Sequence, residues 1–226
     1  MPQPHLTVFF DLHSPYSYLA FYVLHSSPVF RKCDVTYIPV LLVAFIKAIG
    51  LQPPWSSPSM SRLPPDTRPL EMSAMGPADG LADKVNYMTS DITRWSRDFN
   101  IPWTSKWPEN YPFKATTLKV QRVLMACSLE CPERYPNLLA ALYRAFWVDK
   151  KGVQLPGVYE PIVSTDREIK NLLKHNTDRC IASGAPGVPW LKAVDQEGRE
   201  EYFWGFDHLG QLARHLGLEK LTGPHL

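Results

Sequence analysis

Cysteine is scarce in this chain, and charge of one sign never accumulates. Cys33, Cys127, Cys131 and Cys180 are the only four cysteines in 226 residues. They are too few and too irregularly spaced for a disulfide framework, which fits a reducing compartment. The 24 basic and 22 acidic residues interleave to a net charge of +2, so no basic stripe marks a nucleic-acid partner. Long apolar runs are missing as well. A spanning helix needs roughly 20 residues, and the nearest stretch, Tyr37 to Leu51, is broken by Pro39 and Lys47. The seven histidines are scattered, without a His-x-x-x-His pair or a second ligand cluster, and no metal site is expected. A strand-like run begins at Leu6, which leaves no room for the charged region and cleavage site of a secretory leader. An intracellular protein is expected, with cytosol, mitochondrion and peroxisome all open, because the C-terminal Gly-Pro-His-Leu matches a peroxisomal address only loosely.

Proline, by contrast, is abundant. Many of the 22 prolines fall in two tracts, Gln52 to Pro77 and Ile101 to Phe113, that lack apolar periodicity and read as loops. With 45% hydrophobic and 20% charged residues, the rest has an ordinary globular composition and expects a buried core. The length suits one domain carrying a large insertion.

The periodic segments give an order. Leu6 to Leu12 is an apolar, β-prone run, and Ser14 follows as an N-cap with Pro15 at the first helical position. Tyr18, Leu19, Phe21, Tyr22 and Leu24 form the apolar face of that helix, and Cys33 to Leu42 reads as a second strand, completing a βαβ unit. Helical spacing returns over Leu81 to Phe99, Thr116 to Leu129, Pro136 to Val148 and Thr165 to Ala182. Two short strands, Trp190 to Val194 and Glu201 to Trp204, flank the turn 195–198, and a helix closes the chain at Leu209 to Leu216. The fold class expected from this order is α/β, the thioredoxin arrangement with a helical domain inserted into it. Residues 1–52 and 183–226 form the thioredoxin-like part, 165–182 a helix at the junction, and 53–164 the helical insertion with its proline-rich loops.

Ser14 opens a helix directly after a strand, so its hydroxyl shares one place with the positive end of a helix dipole. A thiol of pKa about 8.5 is only about 3% ionised at pH 7, and a two-unit drop requires about 2.7 kcal/mol of preferential thiolate stabilisation. A hydroxyl donor plus a helix terminus is the right chemistry for that; the competing reading is that Ser14 only caps its own helix. Val188-Pro189 before an apolar strand is either a cis proline beside a site or a rigid turn. Cys127 and Cys131, four apart on a helix, fit neither a redox nor a zinc spacing and read as core-side thiols. Trp103, Trp107 and Tyr111 either line an apolar pocket or pin their loop to the domain.

At Phe10-Asp11-Leu12-His13-Ser14-Pro15-Tyr16-Ser17-Tyr18-Leu19-Ala20 the sequence resembles the kappa-class glutathione transferases and the related 2-hydroxychromene-2-carboxylate isomerases. Lys84-x-x-Tyr87-Met88-x-x-Asp91, Ile101-Pro102, Gly187-Val188-Pro189 and Gly205-x-Asp207 extend the resemblance along nearly the whole chain. It implies a thioredoxin-like fold of the DsbA type with an inserted all-helical domain, and a glutathione-dependent transferase or isomerase, a homodimer, acting on a small electrophilic substrate. Ser14 would face the glutathione sulfur at the head of the Pro15-Tyr16-Ser17 turn, and the backbone of Val188, before a cis Pro189, would pair with the cysteinyl backbone of glutathione. Asp207 would bind the glutamyl amine and Lys84 a glutathione carboxylate. The chain departs from the pattern at Leu51, where the family has an asparagine, and at Phe206 and His208, where it has a serine and an arginine. These departures motivate the alternative, a non-catalytic binding protein that has lost productive glutathione binding.

Overall fold

The computed structural model describes residues 2–48, 81–108, 111, 117–151 and 167–219. Alternation in β1 (His5–Phe10) turns Leu6, Val8 and Phe10 to one face of a four-stranded sheet, where all three are buried. β2 (Asp34–Pro39) runs parallel beside it, joined through α1 (Pro15–Ser26) and a 3₁₀ turn, Pro28–Lys32. β3 (Trp190–Val194) and β4 (Glu200–Trp204) add antiparallel on the other side, giving the order β2-β1-β3-β4. The register sets Val8 opposite Leu191 and Leu191 opposite Phe203, so the three strands share one apolar stripe beneath Leu19, Val23 and Leu24 of α1. A second, smaller core on the opposite face joins Phe9, Val40, Phe45 of α2 (Leu42–Ala48), Cys180 of α6 (Arg167–Ala182) and Val188.

Between β2 and β3 the described chain is helical: α2, α3 (Leu81–Asp98), α4 (Leu118–Glu130), α5 (Tyr135–Tyr143) and α6. The thioredoxin-type sheet with a helical insert expected from the sequence is what forms. The boundaries expected at 52/53 and 164/165, the tract from Gln52 to Pro77, Leu51 and the C-terminal Gly-Pro-His-Leu lie outside the described residues. After the sheet, a 3₁₀ turn (Phe206–His208) leads into α7 (Leu209–His215). Among the described residues no helix is long and apolar enough to cross a membrane.

Three departures from the sequence expectation bear on the site. β1 ends at Phe10 rather than Leu12, because Asp11 O takes the Ser14 N–H (2.9 Å) and the Leu12 and His13 carbonyls are bonded by Trp147 and Tyr111 of the insertion instead of by a strand. β2 ends at Pro39 and α2 starts at Leu42, where a continuous strand was expected. The Thr177 hydroxyl accepts from Leu41 N–H (3.2 Å) and the Asp11 carboxylate from Leu42 N–H (2.8 Å), so partners distant in sequence start a helix inside an apolar run whose periodicity alone is ambiguous. The helix expected over Pro136 to Val148 changes pitch after Tyr143 into a π-helical turn, Arg144–Val148, closed by Asp149 N–H on Arg144 O at 2.9 Å. Such turns shift the side chains that follow, and here Phe146 and Trp147 are fully buried against the sheet domain.

Candidate active site

Ser14 occupies the N-cap of α1 in extended backbone (φ −86°, ψ 117°) and is 3% exposed. Its Oγ accepts from Ser17 N–H (3.2 Å) and donates to Val188 O (3.2 Å), across 174 residues of sequence. Pro15 follows as the first helical residue, contributing no N–H. Ser17 is buried, and the group it brings to Ser14 is its backbone N–H. The Val188–Pro189 peptide is cis, as the resemblance implied. Pro189 O is taken by Gly205 N–H at 3.0 Å, which ties the cis turn to the end of β4.

Tyr16 lies on the first turn of α1 and donates from its hydroxyl to Asp91 of α3 (3.0 Å). Arg94 bonds the other Asp91 oxygen, also at 3.0 Å, and its guanidinium lies 5.7 Å from the centroid of the Tyr87 ring. Burial, and after it the Asp91 carboxylate, push the Tyr16 phenol well above its ordinary range; Tyr87 and Asp207 act in the same direction. The phenol therefore stays a donor, and Asp207 belongs to the same neighbourhood. Gly205 makes this possible: its φ is +94°, and a Cβ there would lie 2.5 Å from Asp207 Oδ1. Asp207 keeps 62% of its side chain exposed, with His208 Nδ1 at 3.4 Å. Ser14, Pro15, Tyr16, Ser17, Val188, Pro189 and Asp207 thus gather around the N-terminus of α1. Lys84 is in the first turns of α3, and its side chain lies outside the described residues.

With the sheet order, the cis turn and the helical insert established, the match to a family model is decisive: the DSBA-like thioredoxin domain aligns with residues 5–217. The chain belongs to the DSBA-like thioredoxin family. It is similar to "Glutathione S-transferase kappa 1" of Caenorhabditis elegans, 27% identical over 94% of this chain and 91% of the relative. It is 25% identical to the Homo sapiens protein of the same description, over 96% of this chain and 92% of the relative. Among solved structures, "2-hydroxychromene-2-carboxylate isomerase (HCCA isomerase)" superposes with a TM-score of 0.65 at 18% identity, covering 94% of each chain.

Of the residues that hold this DSBA-like site, Asp11, Gln121 and Trp147 were given no role from the sequence. Asp11, 1% exposed, accepts from His13 N–H (3.0 Å) and from the start of α2. Gln121 of α4 donates to both Phe10 O (3.0 Å) and Val40 O (2.7 Å), and only its amide nitrogen can serve two carbonyls. Trp147 Nε1 donates to Leu12 O (2.9 Å) and the Tyr111 hydroxyl to His13 O (3.3 Å). The run that presents Ser14 is therefore held from the insertion at three carbonyls, those of Phe10, Leu12 and His13. The one available signal was Asp11 itself, a carboxylate set directly after the apolar run Val8-Phe9-Phe10.

The aromatic loop pins rather than opens. Trp103 and Trp107 donate to Thr93 and Thr89 of α3 (3.1 and 3.0 Å), while Tyr111 stacks between Trp107 (4.8 Å) and His13 (4.5 Å). Cys127 and Cys131 are half-buried at the end of α4, and burial raises the Cys127 thiol. Phe206 is fully buried, edge-on to Trp95 (5.2 Å) and Phe99 (5.5 Å). Where the resemblance implies a hydroxyl donor, this chain has a core residue.

Proposed function

We propose that this protein is a glutathione-dependent enzyme, a transferase or isomerase, in which Ser14 stabilises the thiolate of glutathione for attack on a small electrophile. The observation that carries the reading is the buried Ser14 hydroxyl at the N-terminus of α1, 3.2 Å from the backbone of Val188. The names of the transferase relatives and of the isomerase structure support it. The residues present fit a γ-glutamyl thiol peptide. The backbone of Val188, in the cis turn that leads into β3, suits pairing with a peptide backbone, and the exposed Asp207 carboxylate beside Gly205 suits an ammonium.

Ser14 donates to the sulfur as the thiol proton leaves to solvent, and the helix dipole adds its electrostatic share. The sulfur lone pair then forms a C–S bond to the electrophilic carbon. In a transfer, the leaving group departs with its bonding electrons, or a conjugated acceptor takes them and is protonated. In an isomerisation, the electrons shift into a conjugated carbonyl, the former double bond rotates, and the C–S bond breaks to return the thiolate. Both outcomes share the step that Ser14 performs. As part of the same reading we carry the homodimer.

Calorimetric titration with glutathione, repeated while following thiolate absorbance against pH, tests the reading. A hydroxyl-to-thiolate hydrogen bond of about 1.5–3 kcal/mol corresponds to a lowering of about one to two pKa units, and Ser14→Ala should reverse most of it. Absence of binding to wild type at millimolar glutathione, or a thiol pKa unmoved by Ser14→Ala, would sink the proposal.

A further inference from the structure

The outer face of the sheet changes character across its width. Phe9 of β1 is buried there with Cys180 of α6, and the Arg179 guanidinium lies 6.0 Å from its ring centroid. Opposite Phe9 in the register comes Trp190, partly buried against the same core, and opposite Trp190 comes Trp204, 50% exposed. Tyr202, on the same face of β4 and 39% exposed, stacks on Trp190 at 5.5 Å. Trp190 is itself fixed, its Nε1 donating to Ser183 Oγ at 3.0 Å. Three aromatic side chains thus form a shelf on β3 and β4, and the Lys192–Glu200 ion pair (2.7 Å) stands at its far side.

The near end of this shelf lies at the site. Trp204 precedes Gly205, whose N–H on Pro189 O (3.0 Å) ties the end of β4 to the cis turn. The indole edge runs along Gly187, where a Cβ would come within 3.3 Å of Trp204 Nε1. Gly187 is one Cα step, about 3.8 Å, from Val188, whose carbonyl meets the Ser14 hydroxyl. Single exposed aromatics are ordinary on a protein surface, whereas a contiguous run that ends beside a site marks a binding surface.

We infer that Trp204 is the platform for the second substrate, and that this substrate is a planar, electron-poor conjugated molecule. The inference rests on the reading of Ser14 proposed above and names the acceptor class which that reading leaves open. A carbon becomes open to thiolate attack when its π system is drained of electron density, so the conjugated ring or enone that reacts is electron-poor. The indole face is electron-rich, and the two stack with complementary charge distributions. A flat molecule laid on Trp204 has one edge at the turn that frames Ser14 and the other over the shelf. A compact aliphatic electrophile of equal reactivity gains nothing from the indole, and discrimination between the two classes is set by this side chain.

Two thioethers isolate the effect without turnover. S-(2,4-dinitrophenyl)glutathione and S-methylglutathione carry the same peptide with and without an electron-poor ring on sulfur, and calorimetry gives the Kd of each. Wild type should bind the dinitrophenyl thioether tighter by about tenfold or more, as a ring stacked and buried on an indole requires. That advantage should shrink by about fivefold or more in Trp204→Ala and be largely kept in Trp204→Phe, which retains an aromatic face. Taking the ratio of the two Kd values within each variant cancels any loss of folded protein or of affinity for the peptide. A charge-transfer absorbance band between indole and dinitrophenyl ring should appear in wild type and vanish in Trp204→Ala. Equal affinities in wild type, an undiminished aryl advantage in Trp204→Ala, or a band that survives that substitution would overturn the inference. Failure of wild type to bind either thioether would instead overturn the reading of Ser14, so the two failures are distinct.

Discussion

Gln121→Leu probes the link between insertion and sheet. The side chain is fully buried, and its amide nitrogen bonds Phe10 O at the end of β1 and Val40 O just past the end of β2. Losing two hydrogen bonds costs about 2 kcal/mol net, and a buried carbonyl left without a donor adds about 1–3 kcal/mol. Phe10 O keeps the Val40 N–H at 2.9 Å, so that penalty falls on Val40 O. In the other direction, the variant removes Gln121 Oε1, which is buried with no hydrogen-bond partner among the described residues, and this returns about 1 kcal/mol. The balance is a loss of about 2–4 kcal/mol. For a chain of this size it corresponds to a fall of roughly 4–16 °C in Tm. Urea unfolding followed by circular dichroism measures the first quantity and a thermal scan the second. Gln121→Glu, which keeps the shape but cannot donate, should lose at least as much at neutral pH. A Leu variant within about 0.5 kcal/mol of wild type would refute the view that α4 holds the strand ends by hydrogen bonding.

Three further outcomes follow from the same geometry. Gly205→Ala puts a side chain at φ +94° and a Cβ 2.5 Å from Asp207 Oδ1; it should cost about 1–2 kcal/mol and weaken glutathione binding severalfold by calorimetry, whereas unchanged affinity would detach Asp207 from the ligand. Phe206→Ser, which installs the residue the kappa-class pattern has, should destabilise by about 3 kcal/mol or more because the ring fills the core between Trp95 and Phe99; a stable variant that binds glutathione more tightly would contradict this. Burial lowers the Lys150 ammonium to about 8, where Nζ bonds Trp147 O at 2.6 Å and lies 4.3 Å from the Trp103 ring centroid. The unfolded chain then binds the Lys150 proton more tightly than the folded one, so this residue's contribution to stability rises as pH climbs from about 8 toward 10.5. Urea midpoints across that range should rise less steeply in Lys150→Met than in wild type, and identical slopes would remove the assignment.

The sequence by itself determined what is local. The cap Ser14-Pro15, the alternation of β1 and the period of α3, α4 and α6 are each readable because hydroxyl capping, proline geometry and amphipathic spacing act within a few residues. The tertiary structure alone decided what depends on distant partners. A helix begins at Leu42 because Thr177 and Asp11 receive the Leu41 and Leu42 N–H groups, and β1 does not run on past Phe10 because Trp147 and Tyr111 claim the Leu12 and His13 carbonyls. Phe206 became core because α3 brought Trp95 and Phe99 to it. The Ser14–Val188 bond joins residues 174 positions apart. A pattern with a period of two or 3.6 residues carries no information about which remote group will reach a given carbonyl; that is fixed only when the helices and the sheet bury their apolar faces together and bring donors to the backbone carbonyls trapped between them.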